Sequence, residues 1–420
     1  MFPAMHILDE LAARGLIKDA TDLDGLRARM DEGPITFYTG YDPTNDSLTL
    51  GNCVPLMLQA HLQRAGHKPV VVMGGATALV GDPTGKDKTR PEMTLEKLAE
   101  NLAGQRPVYG RVLELAETEG SGPLAAEIVD NASWFAGIGY LAFLRDVGRH
   151  FSVNEMVTVD TYARRLANQQ HLSFIEFNYR LLQAYDFLHL FRTRGVELQV
   201  GGSDQWGNCV AGTELIRKAE GKKAFVFTCP LLLTADGRKM GKTESGAVFA
   251  GAHKTSPYDF YQYFVNVPDT EVGKLLRIFT FLPLDEIAEL EARDGAAINQ
   301  TKQRLAWEVT KLFHGVDEAD KARDAAKTLF GNGGDLDEVP TVNLPAELFA
   351  GEGIPLYKLL VEAGLQGSGK QAKTLAKQGG AYVDDERQSD PFRAITAADL
   401  TDGALLLRAG KKKYCRVLAV

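Results

Sequence analysis

The chain has 420 residues, of which 45% are hydrophobic and 24% are charged. This composition is typical of folded globular proteins and excludes disordered, collagen-like and coiled-coil chains. The formal net charge of −8 argues against a surface built for wholesale nucleic-acid binding. The charge is uneven, however, because residues 352–420 carry a net +3 and the rest carries −11. A mildly basic tail on an acidic body indicates an anionic partner for the tail.

The cysteines and apolar stretches limit the class of protein further. The four cysteines stand far apart with no CxxC pair, and the histidines form no HExxH pattern, so we expect neither disulfides nor a protein-ligated metal. The longest strongly apolar stretch, Phe225–Leu233, is too short to span a bilayer. The N-terminal residues carry Asp9 and Glu10 and predict an amphipathic helix rather than a signal peptide. The sequence therefore predicts a soluble, cytoplasmic protein with no membrane partner.

Residues 1–255 alternate strand-like and helix-like segments. Short β-rich runs end in turn or glycine residues in PITFYTG, KPVVVMGG, VELQVGG and FVFTCPLLL. Helical spacing of apolar residues appears in CVPLMLQAHLQRAG and CVAGTELIRKAEG. This alternation predicts an α/β fold with a doubly wound, parallel, Rossmann-type sheet. In such sheets the functional groups gather at the carboxyl ends of the strands.

Four regions differ from this pattern. Residues from about 94 to 194 are mostly helical in pattern and predict an insertion between two halves of the sheet. Residues 256–331 predict an all-helical domain, and the Gly-, Asp- and Pro-rich residues 332–351 predict a linker. Residues 352–420 predict a small α+β domain with two helices and short strands.

Polar residues that suit phosphates follow the first predicted strand. In GYDPTNDSLTLGN, Thr44, Thr49 and Asn52 place donors beside the start of a helix, where the helix dipole favours an anion. Helix capping and turn formation alone would also explain these residues.

A second cluster follows the strand KPVVVM. Its glycines allow a ligand to approach the backbone, Asp82 can anchor an ammonium or hydroxyl group, and Lys86 and Arg90 belong to a basic loop. The alternative is an ordinary surface turn rich in Gly and Pro.

Two more clusters carry groups typical of a binding site. Tyr179, Gln183 and Asp186 recur at helical spacing and make a polar stripe on an apolar segment, which is typical of a ligand pocket or of a solvent-facing stripe. The segment GGSDQWGN places Asp204 and Gln205 directly after a strand and a glycine pair. A carboxylate and an amide there suit a ribose and an adenine, or a structural turn around a buried tryptophan.

Lys239 and Lys242 flank a glycine in KMGKT. Two ammonium groups on a flexible loop can close over a polyphosphate and neutralise the charge of a leaving group, and the alternative is a solvated basic loop. Two segments resemble a phosphate-binding P-loop only superficially. GRKMGKT has too few residues between its glycines, and GLQGSGKQ has Gln371 in place of Ser or Thr.

In this order the clusters resemble the bacterial tyrosyl-tRNA synthetases, a family of class I aminoacyl-tRNA synthetases. The resemblance runs nearly end to end, and its final part, QAKTLAKQGGAYVDDE, is similar to a small RNA-binding domain. It implies that L-tyrosine is activated with ATP and Mg²⁺ to tyrosyl-adenylate and transferred to the 3′ end of tRNA(Tyr). It also implies a homodimer formed through the helical insertion.

The resemblance implies roles for individual residues, with Tyr38 and Asp186 on the phenol hydroxyl and Thr44 on the phosphates. The residues implied for tyrosine binding are Tyr38, Asp82, Tyr179, Gln183, Asp186 and Gln205. Those implied for ATP binding are Gly40, Asp42, Gly51, Gly202, Asp204, Met240 and Lys242. Those implied for the activation chemistry are Thr44, Thr49, Asn52, Lys86, Arg90, Lys239, Lys242 and Thr243. Those implied for RNA binding are Lys370, Lys373, Lys377, Lys411, Lys412 and Lys413.

The chain departs from the family pattern at one signature. Where the family has the sequence HIGH, this chain has Thr49-Leu50-Gly51-Asn52. Asn52 keeps a hydrogen-bond donor, but Thr49 is shorter than histidine and never cationic. We expect Thr44 and the lysine loops to compensate.

Three other functions are compatible with parts of this pattern. A tryptophanyl enzyme is the near neighbour, and the Tyr38/Asp186 pair and the RNA-binding tail favour tyrosine. An RNA-binding protein that kept the fold and lost catalysis is disfavoured by the intact Asp82 and Gln183 and by both loop lysines. A nucleotidyltransferase acting on another acid is the third.

Overall fold

The computed structural model describes residues 5–84, 93–234, 237, 240–243, 246–295, 297–330, 340–384, 386–401, 403–410 and 413–420, with no side-chain description at 160, 242, 243, 327–330 and 413. The chain divides into two compact units. The first comprises Met1–Ser256 and Tyr263–His314, and the second comprises Pro257–Gln262 and Gly315–Val420. Among the described residues, no helix combines the length and the apolar character needed to cross a membrane.

The centre of the first unit is a six-stranded sheet. Its strands are β1 Asp19–Ala20, β2 Thr36–Tyr41, β3 Lys68–Met73, β4 Glu127–Asp130, β5 Val196–Gly202 and β6 Phe225–Cys229. They lie in the spatial order β1-β6-β5-β2-β3-β4. All neighbours pair in parallel except β1, which is antiparallel to β6. The strand order changes direction between β2 and β5, and ligands bind at such switch points in open α/β sheets.

Helices make up most of the rest of this unit. They are α1 Ile7–Ala13, α2 Leu23–Asp31, α3 Leu50–Arg64, α4 Thr77–Val80, α5 Leu95–Val112, α6 Ala132–Phe135, α7 Tyr140–Asp146, α8 Val153–Met156, α9 Asp160–Ala167, α10 Phe174–Arg194, α11 Trp206–Glu220, α12 Pro257–Val265 (which crosses the boundary between the units), α13 Asp269–Phe279, α14 Leu284–Glu291 and α15 Ala297–His314. A two-stranded ribbon, β7 Lys242–Thr243 and β8 Gly246–Ala247, follows the sheet.

The helix α10, which carries the predicted polar stripe, has clear local start and stop signals. Ser173 and Glu176 form a reciprocal capping box at its first turn, and Gly195 ends it with φ of 63°. Because the helix packs against the sheet and α11, its residues Tyr179 and Asp186 are buried. The stripe therefore faces the interior of the unit and not solvent.

The predicted fold class is confirmed, and the structure adds strands that the sequence pattern did not reveal. Strand β4 lies within the segment predicted as a mostly helical insertion and extends the sheet beside β3. The short β1 pairs along the opposite edge. The apolar run Phe225–Leu233 contributes β6 only as far as Cys229.

The second unit has its own sheet and core. Its remaining helices are α16 Val316–Phe330, α17 Leu356–Glu362 and α18 Gly369–Lys377. Its strands are β9 Thr341–Leu344, β10 Ile354–Pro355, β11 Ala381–Val383, β12 Glu386–Gln388, β13 Ala394–Ile395, β14 Ala404–Ala409 and β15 Lys413–Ala419. Five of them form a sheet in the order β12-β11-β14-β15-β9, and α17 and α18 cover a core that includes Leu359, Ala376 and Leu407. Strand β9 lies within the residues predicted as a linker.

Candidate active site

A cavity of about 540 Å³ opens at the carboxyl ends of β2, β3, β5 and β6, where the strand order changes direction. Its volume lies in the usual range for small-molecule sites. The predicted site residues that line it are Tyr38, Gly40, Asp42, Thr44, Thr49, Gly51, Asn52, Asp82, Tyr179, Gln183, Asp186, Gly202, Asp204, Gln205 and Met240. Residues from five separate segments of the sequence therefore meet in one place.

The other predicted site residues lie elsewhere or outside the description. Lys86, Arg90, Lys239, Lys411 and Lys412 are outside the described residues. Lys242 and Thr243 form β7, and Lys413 begins β15, with side chains that are not described. Lys370, Lys373 and Lys377 all lie on α18 of the second unit.

The buried end of the cavity is built around the carboxylate of Asp186. This side chain is 5% exposed and accepts hydrogen bonds from Trp134 Nε1 at 2.8 Å and from Asn131 Nδ2 at 3.1 Å. Burial raises the pKa of Asp186 to about 7, and the two hydrogen bonds oppose that rise. A carboxylate held in place with lone pairs to spare is a ready acceptor for a hydroxyl group.

Three buried polar atoms at the cavity wall have no hydrogen-bond partner among the described residues: Tyr38 Oη, Thr39 Oγ1 and Gln199 Oε1. Burial, and then the nearby Asp186, raise the pKa of Tyr38, so its hydroxyl stays protonated. A buried polar group without a partner costs free energy. A ligand hydroxyl beside Tyr38 would supply the missing partner of that side chain.

A chain of hydrogen bonds joins the buried end of the cavity to its middle. Asn131 Nδ2 also donates to Thr77 Oγ1 at 3.1 Å, and Thr77 Oγ1 donates to Asp42 Oδ1 at 2.9 Å. The other carboxylate oxygen of Asp42 accepts from the Tyr179 hydroxyl at 2.9 Å. A Cβ at Gly74 would overlap the Asp42 carboxylate, so the residue that follows β3 must be glycine. Because Tyr179 donates its proton to Asp42, its oxygen lone pairs face other donors.

Asp82 belongs to a second group of acceptor oxygens in the cavity. Its Oδ1 accepts from the N–H of Thr84 at 2.9 Å, and its Oδ2 accepts from Gln205 Nε2 at 2.7 Å. Asn208 donates to Gln205 Oε1 at 3.1 Å and so fixes the orientation of that amide. Among the described residues, the side chain of Gln183 makes a long contact of 3.9 Å from its nitrogen to the sulfur of Cys209. Asp82, Tyr179 and Gln183 thus offer oxygen acceptors of the kind an ammonium group needs.

One edge of the cavity is formed by the start of α3. Thr49 is the N-cap of this helix, and its hydroxyl donates to Asn52 Oδ1 at 2.6 Å. The N–H of Thr49 also points at Asn52 Oδ1, at 3.4 Å, while the N–H of Asn52 points at the Thr49 hydroxyl. Since Oδ1 of Asn52 is held by these donors, its Nδ2 is left as a donor toward other groups.

Sequence reasoning did not assign several polar residues of this site, among them the four side chains of Thr77, Asn131, Trp134 and Gln199. Thr77, Asn131 and Trp134 make the hydrogen bonds that hold the carboxylates of Asp42 and Asp186. These three residues lie in or near short helices and strands that show no strong periodicity of apolar residues. Gln199 had a visible signal, because it is the one amide in β5 and stands between the apolar residues Leu198 and Val200.

Comparison with known proteins identifies the family. The family model for class I tRNA synthetases of tryptophan and tyrosine matches residues 30–331, and that for the C-terminal domain of tyrosine–tRNA ligases matches residues 334–417. The chain is 47% identical to the tyrosine–tRNA ligase of Rhodospirillum rubrum, over 99% of this chain and 98% of that protein. The chain belongs to the tyrosine–tRNA ligase family.

A second relative in the family, the tyrosine–tRNA ligase of Caulobacter sp. strain K31, is 49% identical over 98% of this chain and 97% of its own length. A crystal structure of a C-terminally truncated mitochondrial tyrosyl-tRNA synthetase from Aspergillus nidulans is also similar, with 31% identity and a TM-score of 0.70. The matched region covers 77% of this chain and 94% of the chain in that crystal structure. The predicted membership of the tyrosyl-tRNA synthetases is confirmed.

Proposed function

We propose that this chain activates L-tyrosine with ATP to form tyrosyl-adenylate and then transfers tyrosine to the 3′ end of tRNA(Tyr). Ligation of tyrosine to tRNA is the activity of its family, and ATP is the energy source of that family. The observation that carries the proposal is one cavity lined by two polar groups of different kinds. The first is the buried Asp186 carboxylate with the Tyr38 phenol, which has no partner among the described residues. The second comprises Asp82, Tyr179 and Gln183, whose oxygens can accept from an ammonium group.

The tyrosine side chain is placed with its hydroxyl between Tyr38 and Asp186. The substrate hydroxyl donates to the Asp186 carboxylate, which Asn131 and Trp134 already orient, and it accepts from the Tyr38 hydroxyl. Phenylalanine would leave the buried Tyr38 hydroxyl without a partner and Asp186 without one of its hydrogen bonds, and leaving a buried polar group unsatisfied costs more than a hydrogen bond gains. Selectivity for tyrosine over phenylalanine follows from that difference.

The α-ammonium group is placed against Asp82, Tyr179 and Gln183. This arrangement holds the amino acid at both polar ends and leaves its carboxylate directed toward the start of α3. Binding both ends fixes the reacting oxygen, and such positioning supplies much of the rate gain in a reaction that needs no protein nucleophile.

In the activation step, a carboxylate oxygen of tyrosine attacks the α-phosphorus of ATP, and the bond from that phosphorus to the bridging oxygen of pyrophosphate breaks. Thr44, Asn52 and the lysines Lys239 and Lys242 stabilise the negative charge that moves onto the leaving pyrophosphate. Lys86 and Arg90 are assigned to the same role. Magnesium enters this proposal as the complex with ATP, which is the substrate form of the nucleotide. In the second step, a ribose hydroxyl of the tRNA attacks the carbonyl carbon and AMP leaves.

The proposal includes a homodimer and a cytoplasmic location. The dimer is supported by large apolar side chains between residues 140 and 175 that are more than half exposed. They are Tyr140, Leu141, Val153, Phe174 and Ile175. A second copy would bury these side chains by apolar contact.

The tRNA partner accounts for the basic tail. Lys370, Lys373 and Lys377 lie on one helix of the second unit, and neutralising phosphates with lysines gives binding that weakens as salt rises. Lys411, Lys412 and Lys413 are assigned to the same partner.

Exchange of pyrophosphate into ATP, measured with each of the twenty amino acids, tests the function. We expect exchange with tyrosine and magnesium, and charging of a tRNA(Tyr) transcript. Comparable exchange with tryptophan would contradict the assignment of tyrosine as the substrate. Exchange with another acid alone would indicate a nucleotidyltransferase. RNA binding without any exchange would indicate a protein that has lost catalysis.

A further inference from the structure

Two aromatic rings and a lysine form a compact cluster on the second unit. Tyr357 lies on α17, Lys373 lies on α18, and Phe392 lies between β12 and β13. The two ring centroids are 5.6 Å apart, with an edge-to-face angle of 68°. The Lys373 ammonium lies 4.2 Å from the ring centroid of Tyr357 and 5.0 Å from that of Phe392. We call these three residues the aromatic corner.

The backbone of the aromatic corner is held from both sides. The N–H of Tyr357 donates to the carbonyl of Pro391 at 3.0 Å, and the N–H of Phe392 donates to the Asp390 carboxylate at 2.9 Å. The strands β10 and β13 on either side of the cluster pair with each other. Since the rings are already fixed, little conformational entropy would be lost when a ligand binds to them.

Phe392 is the exposed member of the cluster. Its side chain is 58% exposed, whereas Tyr357 packs against the core of the unit. A single exposed apolar side chain needs no explanation by itself. Here, however, the ring is fixed against a cation, and Lys370 and Lys377 are exposed one turn away on the same face of α18.

We propose that the aromatic corner stacks an unpaired base of the tRNA, while Lys370, Lys373 and Lys377 contact the phosphates on either side of it. This inference rests on the proposed function, in which tRNA is the substrate. Every base has a flat π-face that an aromatic ring can cover, and cations beside the ring suit the backbone on either side of the base. Bases inside an RNA duplex offer no such face. The corner therefore selects a loop, bulge or end of the tRNA rather than a helical stem.

Binding of a tRNA(Tyr) transcript to the full chain over a range of salt concentrations tests this proposal. Loss of one stacked base costs about 1–3 kcal/mol, so Phe392→Ala should weaken binding by about 5- to 150-fold. The salt dependence should not change, because no charge is removed. Phe392→Trp should keep the affinity. Lys370→Ala should instead lower the slope of log K against log salt by about one unit.

Leu348→Ala is the matched control, since Leu348 is a large apolar side chain of the same unit that is 38% exposed. It should bind the transcript like the unaltered chain. If Phe392→Ala binds within about twofold while Lys370→Ala lowers the slope, stacking at the corner is wrong but tRNA remains the partner. If neither variant changes binding, the RNA-binding role of the tail fails as well. If Phe392→Trp binds as weakly as Phe392→Ala, or if Phe392→Ala melts several degrees lower, the ring supports the loop and the proposal is overturned.

Discussion

Thr49 and Asn52 hold each other at the first turn of α3, with the Thr49 hydroxyl 2.6 Å from Asn52 Oδ1. Both residues line the cavity. Thr49 thus supplies two things at once: it caps the helix, and it orients the amide of Asn52 so that its N–H₂ group faces away from the cap. We therefore expect the contribution of this position to be positional rather than electrostatic.

The first prediction concerns this pair. Thr49→Val keeps the shape of the side chain but removes both hydrogen bonds of its hydroxyl, so it should destabilise the protein by about 1 kcal/mol. It should also lower kcat for pyrophosphate exchange, because Asn52 is no longer oriented. Thr49→Ser retains the hydroxyl and should restore both properties. A Thr49→Val protein that melts lower but exchanges at the normal rate would show that Thr49 is only a helix cap.

The second prediction concerns recognition of the phenol. Tyr38→Phe removes one hydrogen-bond partner of the substrate hydroxyl, which is worth about 0.5–1.5 kcal/mol, so the KM for tyrosine should rise by about 2- to 12-fold. Activation of phenylalanine should not weaken, because that substrate has no hydroxyl to lose. Equal losses for tyrosine and phenylalanine would place Tyr38 outside the phenol site.

The third prediction concerns pH. Because burial raises the pKa of Asp186 to about 7, this carboxyl gains a proton as the pH falls through about 7 and becomes a poorer acceptor for the phenol. The affinity for tyrosine should therefore be greater near pH 8 than near pH 6. Titration calorimetry across this range measures the effect. Asp186→Asn should bind tyrosine weakly at every pH, and an unchanged pH profile in that variant would assign the dependence to another group.

The raised pKa of Asp186 has an opposite consequence for folding. Its ordinary value is 3.8, so between about pH 4 and pH 7 the native protein holds a proton that the unfolded chain has released. Stability should fall as pH rises through this window. In Asp186→Asn, that part of the decline in melting temperature should disappear.

The fourth prediction concerns the loop lysine Lys242. Removing one group that stabilises transition-state charge costs about 2.7–4 kcal/mol, so Lys242→Ala should slow tyrosine activation by about 100- to 1,000-fold. Tyrosine affinity should hardly change, because the tyrosine site lies among other residues. Single-turnover formation of tyrosyl-adenylate separates the two effects. A rate within a few-fold of normal would exclude the loop from the chemistry.

The fifth prediction concerns assembly. Leu141 is 79% exposed, and Leu141→Glu would place a charge in the proposed contact between two copies. We expect the variant to sediment as a monomer while the unaltered chain sediments as a dimer. Leu348→Glu, at an exposed apolar position of the second unit, is the matched control and should remain dimeric.

The sequence predicted the sheet and the main cavity residues well, because strong patterns carry them. A glycine pair follows β3 and another ends β5, and the stripe containing Tyr179 and Asp186 has clear helical spacing. The partners of those residues could not be predicted. Asn131 and Trp134 lie 55 and 52 positions from Asp186, and the short strand β4 that positions them has no alternating pattern. Their contact depends on the register between β3 and β4, which composition does not encode.

Arg14 is buried, and its guanidinium donates to the carbonyls of Thr280 and Leu282, at 3.3 and 2.8 Å. The family match begins only at residue 30, yet this cation belongs to the same folded unit. A chain trimmed to the matched boundary would leave those carbonyls facing an empty space in the interior. Helix α1, which Arg14 ends, therefore stabilises the loop that follows α13. A protein expressed for study should begin before α1.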